Sequence, residues 1–197
     1  MVEGNSEKII VLASASPRRK ELLEQLGLKF EVESGNHTEN VQSKLRPHEL
    51  AKVISREKAL AVAGKRQNAI IIAADTIGVL DGEILGKPRS AEEARQMLAA
   101  LSGKSHLVIT GFTILDTSDD RAVSKSVGTR VYVKKLSPKE IEAYVASGEP
   151  LDKAGAYAIQ GLGAAIVESI EGDYFNVVGL PLSALAESLK EFGVRVL

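Results

Sequence analysis

Apolar and polar residues follow two different periods along this chain, and the periods predict where strands and helices lie. Apolar runs typical of buried strands occupy residues 9–13, 28–32, 69–73, 107–115, 123–133 and 164–169. Apolar residues spaced for one face of a helix occupy residues 17–26, 47–63, 90–101, 137–146 and 180–192. Because strands and helices alternate, we predict an α/β fold.

Capping and turn residues mark the ends of several elements. Ser16-Pro17 suits the start of a helix. Ser90–Glu93 and Ser137–Glu140 have the spacing of capping boxes. Asp81-Gly82 favours a tight turn within a hairpin over residues 76–85, so the sheet is expected to be mixed. The long helix is expected to bury five side chains, Leu50, Val53, Ile54, Ala61 and Val62.

The length and composition suit one compact domain. The chain has 197 residues, 44% of them hydrophobic, which is ample for a core over residues 1–197. Polar, glycine-containing loops at 34–46 and 147–162 are where a cleft between two lobes would lie. We therefore expect a two-lobed mixed sheet with flanking helices.

Charge and cysteine content exclude several classes of function. The formal net charge is -1, so we expect neither a nucleic-acid polymer nor a membrane surface as partner. The absence of Cys excludes disulfides and thiolate chemistry and fits a reducing compartment. The N-terminal residues are polar and no apolar run approaches ~18 residues, so no membrane span is expected and the cytoplasm is the predicted location.

The segment Leu12-Ala-Ser-Ala-Ser-Pro-Arg-Arg19 is the first candidate site. A helix N-terminus offers unpaired N–H groups and a partial positive charge. Ser14 and Ser16 add hydroxyls, and Arg18 and Arg19 add guanidinium groups that bind phosphate through paired hydrogen bonds. These residues predict an anion site, the alternative being an ordinary N-cap followed by two solvated arginines.

Asp75 and Thr76 are the second candidate, placed at the predicted end of an apolar strand. Ligands of α/β sheets collect near the carboxyl ends of strands. An Asp there can hold a divalent cation or accept a proton from water. The alternative is a turn-forming Asp bonded to nearby backbone.

Two lysines and one loop complete the candidates. Lys87 precedes Pro88, which fixes its direction for contact with a phosphate, while Lys58 lies on the face of the long helix. Either could instead be a solvated charge. In the loop that follows the fourth helix, Tyr157 could pack on a base and Gln160 could read a base edge with its donor and acceptor, or the loop could be anchored by the tyrosine alone.

Together the ordered motifs resemble those of the Maf family of nucleoside triphosphate pyrophosphatases. The resemblance extends from Leu12 to nearly the C-terminus. It is carried by Leu12-Ala-Ser-Ala-Ser-Pro-Arg-Arg19, Arg56-Glu-Lys-Ala59, Ala74-Asp-Thr76, Gly82-Glu-Ile-Leu-Gly-Lys-Pro88, Leu101-Ser-Gly103 with His106, and Gly179-Leu-Pro181.

The resemblance implies a fold related to inosine-triphosphate pyrophosphatases and hydrolysis between the α and β phosphates. It also implies a Mg²⁺ or Mn²⁺ requirement and a homodimer. By motif match Asp75 would activate water, with Lys58 and Lys87 also in catalytic positions, and Glu39 would help Asp75 with the metal. The phosphates would be held by Ser14, Arg18, Arg19, Lys58 and Lys87.

The segments 153–161 and 172–179 are similar to the dTTP/UTP subgroup of the family, in which the positions of Arg18, Thr76 and Gln160 are linked to substrate choice. The chain departs from the family at Asn36-His-Thr-Glu39, where an acidic pair is usual and only Glu39 is acidic. Two alternatives remain open. They are the same chemistry on 7-methyl-GTP or another modified nucleotide, and a nucleotide-binding regulator of cell division with little catalysis.

Overall fold

The computed structural model describes residues 8–35 and 45–197, and the predicted metal residue Glu39 lies outside them. The strands are β1 (Ile9–Leu12), β2 (Glu31–Val32), β3 (Ala69–Leu80), β4 (Glu83–Leu85), β5 (Ser105–Asp116), β6 (Ala122–Val133) and β7 (Val167–Glu171). The helices are α1 (Pro17–Gln25), α2 (Pro47–Ala63), α3 (Ala91–Leu101), α4 (Pro138–Ala146), α5 (Tyr174–Val178) and α6 (Leu182–Leu189). Short 3₁₀ helices cover Glu149–Asp152, Ala154–Ala156, Gly161–Ala165 and Lys190–Phe192. None of the helices in these ranges has the length and apolarity needed to cross a membrane.

The seven strands form one mixed sheet in the order β2-β1-β3-β5-β6-β7, with β4 also paired to β3. β1 runs parallel to β2 and β3, and the other neighbours are antiparallel. β5 occupies one edge of β3, so β1 and β4 share the opposite edge, where β1 pairs with residues 69–72 and β4 with residues 78–80. Within the described part of the chain, residues 73–77 have no strand partner on that edge, which leaves a gap in the sheet.

The apolar start of β3 is explained by burial on both faces. Ile70, Ile72 and Ala74 join the core under α1 and α6, while Ile71 and Ala73 join the core under α2. A strand covered on both faces has no solvent-exposed face that would need polar residues, so its sequence is a continuous apolar run. A third core lies under α3 and α4 and includes Leu98, Leu101, Val131, Tyr144 and Tyr157.

A glycine sets how closely α2 lies on the sheet. A Cβ built on Gly111 would lie 2.3 Å from the backbone carbon and oxygen of Ala51, so this approach is possible only without a side chain. Gly111 is the cross-strand partner of Asp75, and opposite residues of an antiparallel pair face the same side of the sheet. Lys58 lies seven residues, or two helical turns, after Ala51 on the same face of α2. The contact at Gly111 therefore sets how closely α2 lies on the face that carries Asp75, and Lys58 reaches Asp75 from two turns along that helix.

Several boundaries differ from the prediction. Asp75 does not end a strand. It lies inside β3, which has 12 residues from Ala69 to Leu80 and pairs with β5 along nearly all of its length. β2 keeps only Glu31–Val32 of the predicted 28–32. β7 begins at Val167 because the preceding residues form a 3₁₀ helix.

The C-terminal region and two side-chain predictions also need correction. The predicted helix 180–192 is α6 followed by a 3₁₀ turn, and the separate helix α5, capped by Asp173, precedes it. Val53 is 40% exposed instead of buried. The Ser137–Glu140 capping box is present, whereas the Glu93 carboxylate accepts from the Arg89 N–H and not from that of Ser90.

We expect Gly111→Ala to lower the free energy of unfolding by about 1–3 kcal/mol, because the new methyl group would meet the Ala51 backbone and push α2 away from the sheet. Urea denaturation followed by circular dichroism measures it. Gly64→Ala is the matched control, since nothing lies within 4 Å of its Cβ position and its φ is -63°. Equal stability of the two variants would show that the Gly111 contact is not tight.

Candidate active site

Asp75 and Lys58 form an ion pair at the gap in the sheet. Lys58 Nζ donates to Asp75 Oδ1 at 2.6 Å, and the two side chains are 20% and 9% exposed. No donor within the described residues contacts Asp75 Oδ2. The carboxylate therefore has one oxygen held by the lysine and one available to a ligand or water.

Arg19 connects three segments on the opposite face of β3. Its Nη2 donates to Thr76 Oγ1 at 3.0 Å, its Nη1 to Ser14 Oγ at 3.4 Å, and its Nε to the Gly179 carbonyl at 2.9 Å. Thr76 Oγ1 in turn lies 2.9 Å from Thr110 Oγ1 on β5. The guanidinium thus ties α1 to β3 and to the segment after α5.

The turn into α1 is formed by two serines. The Ser16 side chain caps the helix by accepting from the Arg19 N–H, and Ser14 Oγ accepts from the Ser16 N–H at 3.2 Å. The first turn of the helix carries Arg18 and Arg19 and no acidic residue. Positive side chains beside the positive end of a helix are unfavourable unless an anion is bound there.

Nine predicted residues line one cleft: Ser16, Arg18, Arg19, Lys58, Asp75, Thr76, Lys87, Tyr157 and Gln160. Ser14 lies in an adjoining pocket that shares Arg19 and Lys58 with this cleft. All the predicted site residues that the structure describes therefore come together.

The sequence prediction missed two charged residues of the cleft. Lys153 and Asp152 also line it and form an ion pair with each other. The Lys153 side chain is 14% exposed, whereas that of Asp152 is 76% exposed, so the lysine lies in the cleft wall. With Lys153 the cleft has five basic and two acidic side chains, an excess of positive charge that suits a polyanion. Their only sequence signal is their position beside the Tyr157 loop.

His106 and Tyr157 form a buried pair in the wall of the same cleft. Tyr157 Oη lies 2.8 Å from His106 Nε2, and the rings meet edge to face with centroids 5.3 Å apart. Burial disfavours the charged form of each group. It lowers the pKa of His106 from 6.5 to about 4, and it raises the pKa of Tyr157. Both groups are therefore neutral at pH 7.

The backbone that carries Gln160 is held by Glu149. Its carboxylate accepts from the Leu162 N–H at 3.0 Å, the Gly163 N–H at 2.9 Å and Tyr144 Oη at 2.8 Å. Burial alone would raise the pKa of Glu149, but these hydrogen bonds outweigh it and lower the pKa. The loop from Tyr157 to Gly163 is therefore anchored at its far end by an ionised carboxylate.

The donor chemistry fits a divalent cation bound with help from substrate. Within residues 8–35 and 45–197 no group of three or more acidic or histidine side chains is placed to hold a metal. Among the described residues, Asp75 offers a carboxylate oxygen at the gap. Mg²⁺ commonly binds through one or two carboxylates plus substrate phosphates, so this carboxylate in a cleft with an excess of basic side chains is compatible with it.

A mixed α/β sheet with a cleft in which basic side chains outnumber acidic ones around the Asp75–Lys58 pair is typical of a phosphate-binding α/β protein. The chain belongs to the Maf family, since the model of that family, described as Maf-like protein, matches residues 9–192. The predicted family is confirmed.

Curated relatives cover nearly the whole chain. A protein of Thermoanaerobacter pseudethanolicus is 54% identical over 190 residues, covering 95% of this chain and 99% of its own. One of Methanosarcina barkeri is 52% identical over 188 residues, covering 95% of each chain. One of Pelotomaculum thermopropionicum is 49% identical over 190 residues, covering 96% of this chain and all of its own. All three are named dTTP/UTP pyrophosphatase.

The fold is shared with a HAM1 protein from Coxiella burnetii. The TM-score is 0.52 at 16% identity, and the match covers 93% of this chain and 99% of that chain. The predicted α/β class, a mixed sheet with flanking helices, is confirmed.

We expect Arg19→Lys to lower the free energy of unfolding by about 1–2 kcal/mol, because a lysine has one nitrogen in place of three and cannot bond all three of the arginine's acceptors at once. Thermal and urea denaturation measure it. Lys20→Arg is the control, because it also exchanges lysine and arginine on α1 but at an exposed position. No difference between the two variants would contradict the bridging role.

We expect His106 to make the protein less stable as pH falls. Its folded pKa of about 4 is below its unfolded value of 6.5, so between these values the unfolded chain binds a proton that the folded chain does not. The free energy of unfolding should fall by about 3 kcal/mol over this window from His106 alone, at 1.36 kcal/mol per pKa unit.

The measurement is urea denaturation of wild type and His106→Gln at pH 7 and pH 4. The variant should lose less stability than wild type, while His48→Gln, at an exposed position, should follow wild type. Parallel pH curves for all three proteins would contradict the assignment.

Proposed function

We propose that this protein is a nucleoside triphosphate pyrophosphatase that hydrolyses dTTP and UTP, with CTP or modified pyrimidine triphosphates as further candidates. The products are the nucleoside monophosphate and pyrophosphate. The observation that carries the proposal is the Asp75–Lys58 pair at the gap in the sheet, inside a cleft with an excess of basic side chains. The names of the curated relatives support the substrates.

In the proposed mechanism Asp75 accepts the proton of the attacking water. Lys58 occupies Oδ1 and so directs Oδ2 to that water. The water oxygen bonds to the α-phosphorus, the bond from that phosphorus to the bridging oxygen breaks, and pyrophosphate leaves. Positioning and charge neutralisation supply most of the catalysis in such displacements.

The basic side chains hold the phosphates. Arg18 and Arg19 extend from the N-terminus of α1, where N–H groups add to the binding of an anion. Lys87 is exposed at the cleft and is followed by the buried Pro88, which fixes its direction. Ser14 and Ser16 shape the turn that presents the two arginines.

A Mg²⁺ or Mn²⁺ ion is proposed to be held by Asp75 together with Glu39. When bound, such an ion would neutralise phosphate charge and polarise the phosphoryl oxygens.

The base is proposed to lie against Tyr157, with Gln160 reading its edge. Tyr157 is 7% exposed and fixed by His106, so it forms a rigid wall, whereas Gln160 is half-buried at the cleft. Arg18 and Thr76, which also line the cleft, are proposed to contribute to the choice of substrate.

A panel of triphosphates with product analysis tests the proposal. In the presence of Mg²⁺ or Mn²⁺, UTP and dTTP should yield monophosphate and pyrophosphate with higher kcat/KM than 7-methyl-GTP. Release of inorganic phosphate and a nucleoside diphosphate would contradict it. A preference for the methylated purine would favour the modified-base alternative, and tight binding without turnover would favour the regulator.

We expect Asp75→Asn to lower kcat by at least about 100-fold, because the amide cannot accept the water proton. Pyrophosphate release with UTP measures it. Asp81→Asn is the matched control on the hairpin after β3, where Asp81 pairs with Lys104 on the exposed surface and has a φ of 52° that Asn tolerates. Turnover by Asp75→Asn close to that of Asp81→Asn would remove Asp75 from the mechanism.

The family resemblance also leads us to propose a cytoplasmic homodimer. Large apolar side chains that a second copy could cover include Val32 at 46% exposure, Val53 at 40% and Leu60 at 53%. Sedimentation equilibrium should give twice the mass of one chain, and a single-chain mass at the concentration used for assays would contradict the dimer.

A further inference from the structure

We propose that His106 is a positioning residue for base selection. Through its hydrogen bond to the Tyr157 hydroxyl, it fixes the segment from Tyr157 to Gln160 at the nucleobase end of the cleft. The inference rests on the proposed function, because it concerns the substrate specificity of the same cleft.

The sheet register places His106 far from the phosphate end. Thr76 is opposite Thr110, and His106 lies four residues before Thr110, near the start of β5. At ~3.4 Å per residue this is roughly 14 Å from the Thr76 level. His106 therefore lies beyond Asp75 and Thr76, on the side of the cleft lined by Gly78, Val108 and Tyr157.

A histidine at position 106 makes the folded protein less stable than an apolar residue there would. It is 2% exposed, its cross-strand partner is Val131, and its Nδ1 has no hydrogen-bond partner anywhere in the described ranges. Leaving a buried polar atom unpaired lowers stability, and an apolar residue at this site would avoid that loss. The imidazole's one observed hydrogen bond goes to Tyr157, so that bond is what the histidine provides.

The segment that Tyr157 begins needs such an anchor. Gly155 and Ala156, immediately before it, have left-handed φ values of 73° and 58°. A left-handed conformation is unfavourable for a non-glycine residue, so contacts outside the segment must hold it. The Gly155 N–H donates to the Gly86 carbonyl at 2.9 Å, next to Lys87, and the Tyr157 hydroxyl bonds to His106.

Gln160 therefore lies between two anchors. His106 holds the segment before it through Tyr157, and the Glu149 carboxylate holds the segment after it through the Leu162 and Gly163 N–H groups. Loss of the His106–Tyr157 bond leaves the Glu149 anchor and two upstream backbone contacts in place, the Gly155 N–H on the Gly86 carbonyl and the Ala158 N–H on Tyr144 Oη at 3.3 Å, but it removes the hydrogen bond that fixes the Tyr157 side chain. Tyr157 and Gln160 then present the base with a less fixed wall and edge, and discrimination between bases falls.

The test measures kcat and KM for UTP, CTP and GTP with four variants of the full chain. Tyr157→Phe removes only the hydroxyl, His106→Leu removes the imidazole, and His106→Gln keeps a polar group directed at Tyr157. The fourth variant combines Tyr157→Phe with His106→Leu. Tyr132→Phe is the matched control, since its hydroxyl contacts Glu171 at 3.2 Å on the exposed side of the sheet.

We expect Tyr157→Phe and His106→Leu each to lower the kcat/KM ratio of UTP to GTP at least fivefold, more through KM than through kcat. His106→Gln should recover most of the ratio. The combined variant should be no less selective than either single one, because all three remove the same bond. Where His106→Leu does not fold, Tyr157→Phe set against His106→Gln gives the same comparison.

Variants that lower the melting temperature but keep the wild-type selectivity ratio would overturn the inference, as would additive effects in the combined variant. Wild-type protein that turns over none of the triphosphates would overturn the proposed function and this inference together. Active wild type with unchanged selectivity in the variants would overturn the inference alone.

Discussion

The site depends on the place where β1 stops. β1 pairs with β3 only as far as residue 72, and β4 takes over at residue 78, so the edge of β3 between them is open. Asp75 lies in that opening, and the chain leaving β1 turns at once into α1, whose N-terminus carries Arg18 and Arg19. One interruption in strand pairing thus brings a carboxylate and the cationic N-terminus of α1, the proposed phosphate site, to the same gap.

The remaining cations reach the gap through packing. The missing side chain of Gly111 lets α2 approach the sheet until Lys58 contacts Asp75. The Gly155 N–H, bonded to the Gly86 carbonyl, brings the segment with Lys153 and Tyr157 next to Lys87. The positive charge of the cleft is therefore a product of tertiary contacts, and it coexists with a net charge of -1 for the whole chain.

Local sequence signals predicted what local physics determines. The helix from Pro47 to Ala63 and the Ser137 capping box were predicted correctly, because periodicity and caps act within a few residues. The motif order placed Asp75, Lys58, Lys87 and Arg19 in one site, and the structure brings them together. The prediction ended the strand near Asp75 because the sequence of β3 does not show its pairing with β5. That pairing extends the strand beyond Asp75.

Tertiary relations account for what the sequence did not reveal. Lys153 and Asp152 resemble ordinary loop charges until the loop folds over the cleft, and the His106–Tyr157 bond joins residues 51 positions apart. If the gap at Asp75 binds the α–β phosphate linkage, a crystal structure with α,β-methylene-UTP will show the α–β bridge beside Asp75 Oδ2 and the uracil against Tyr157. A triphosphate bound away from Asp75 would refute this placement.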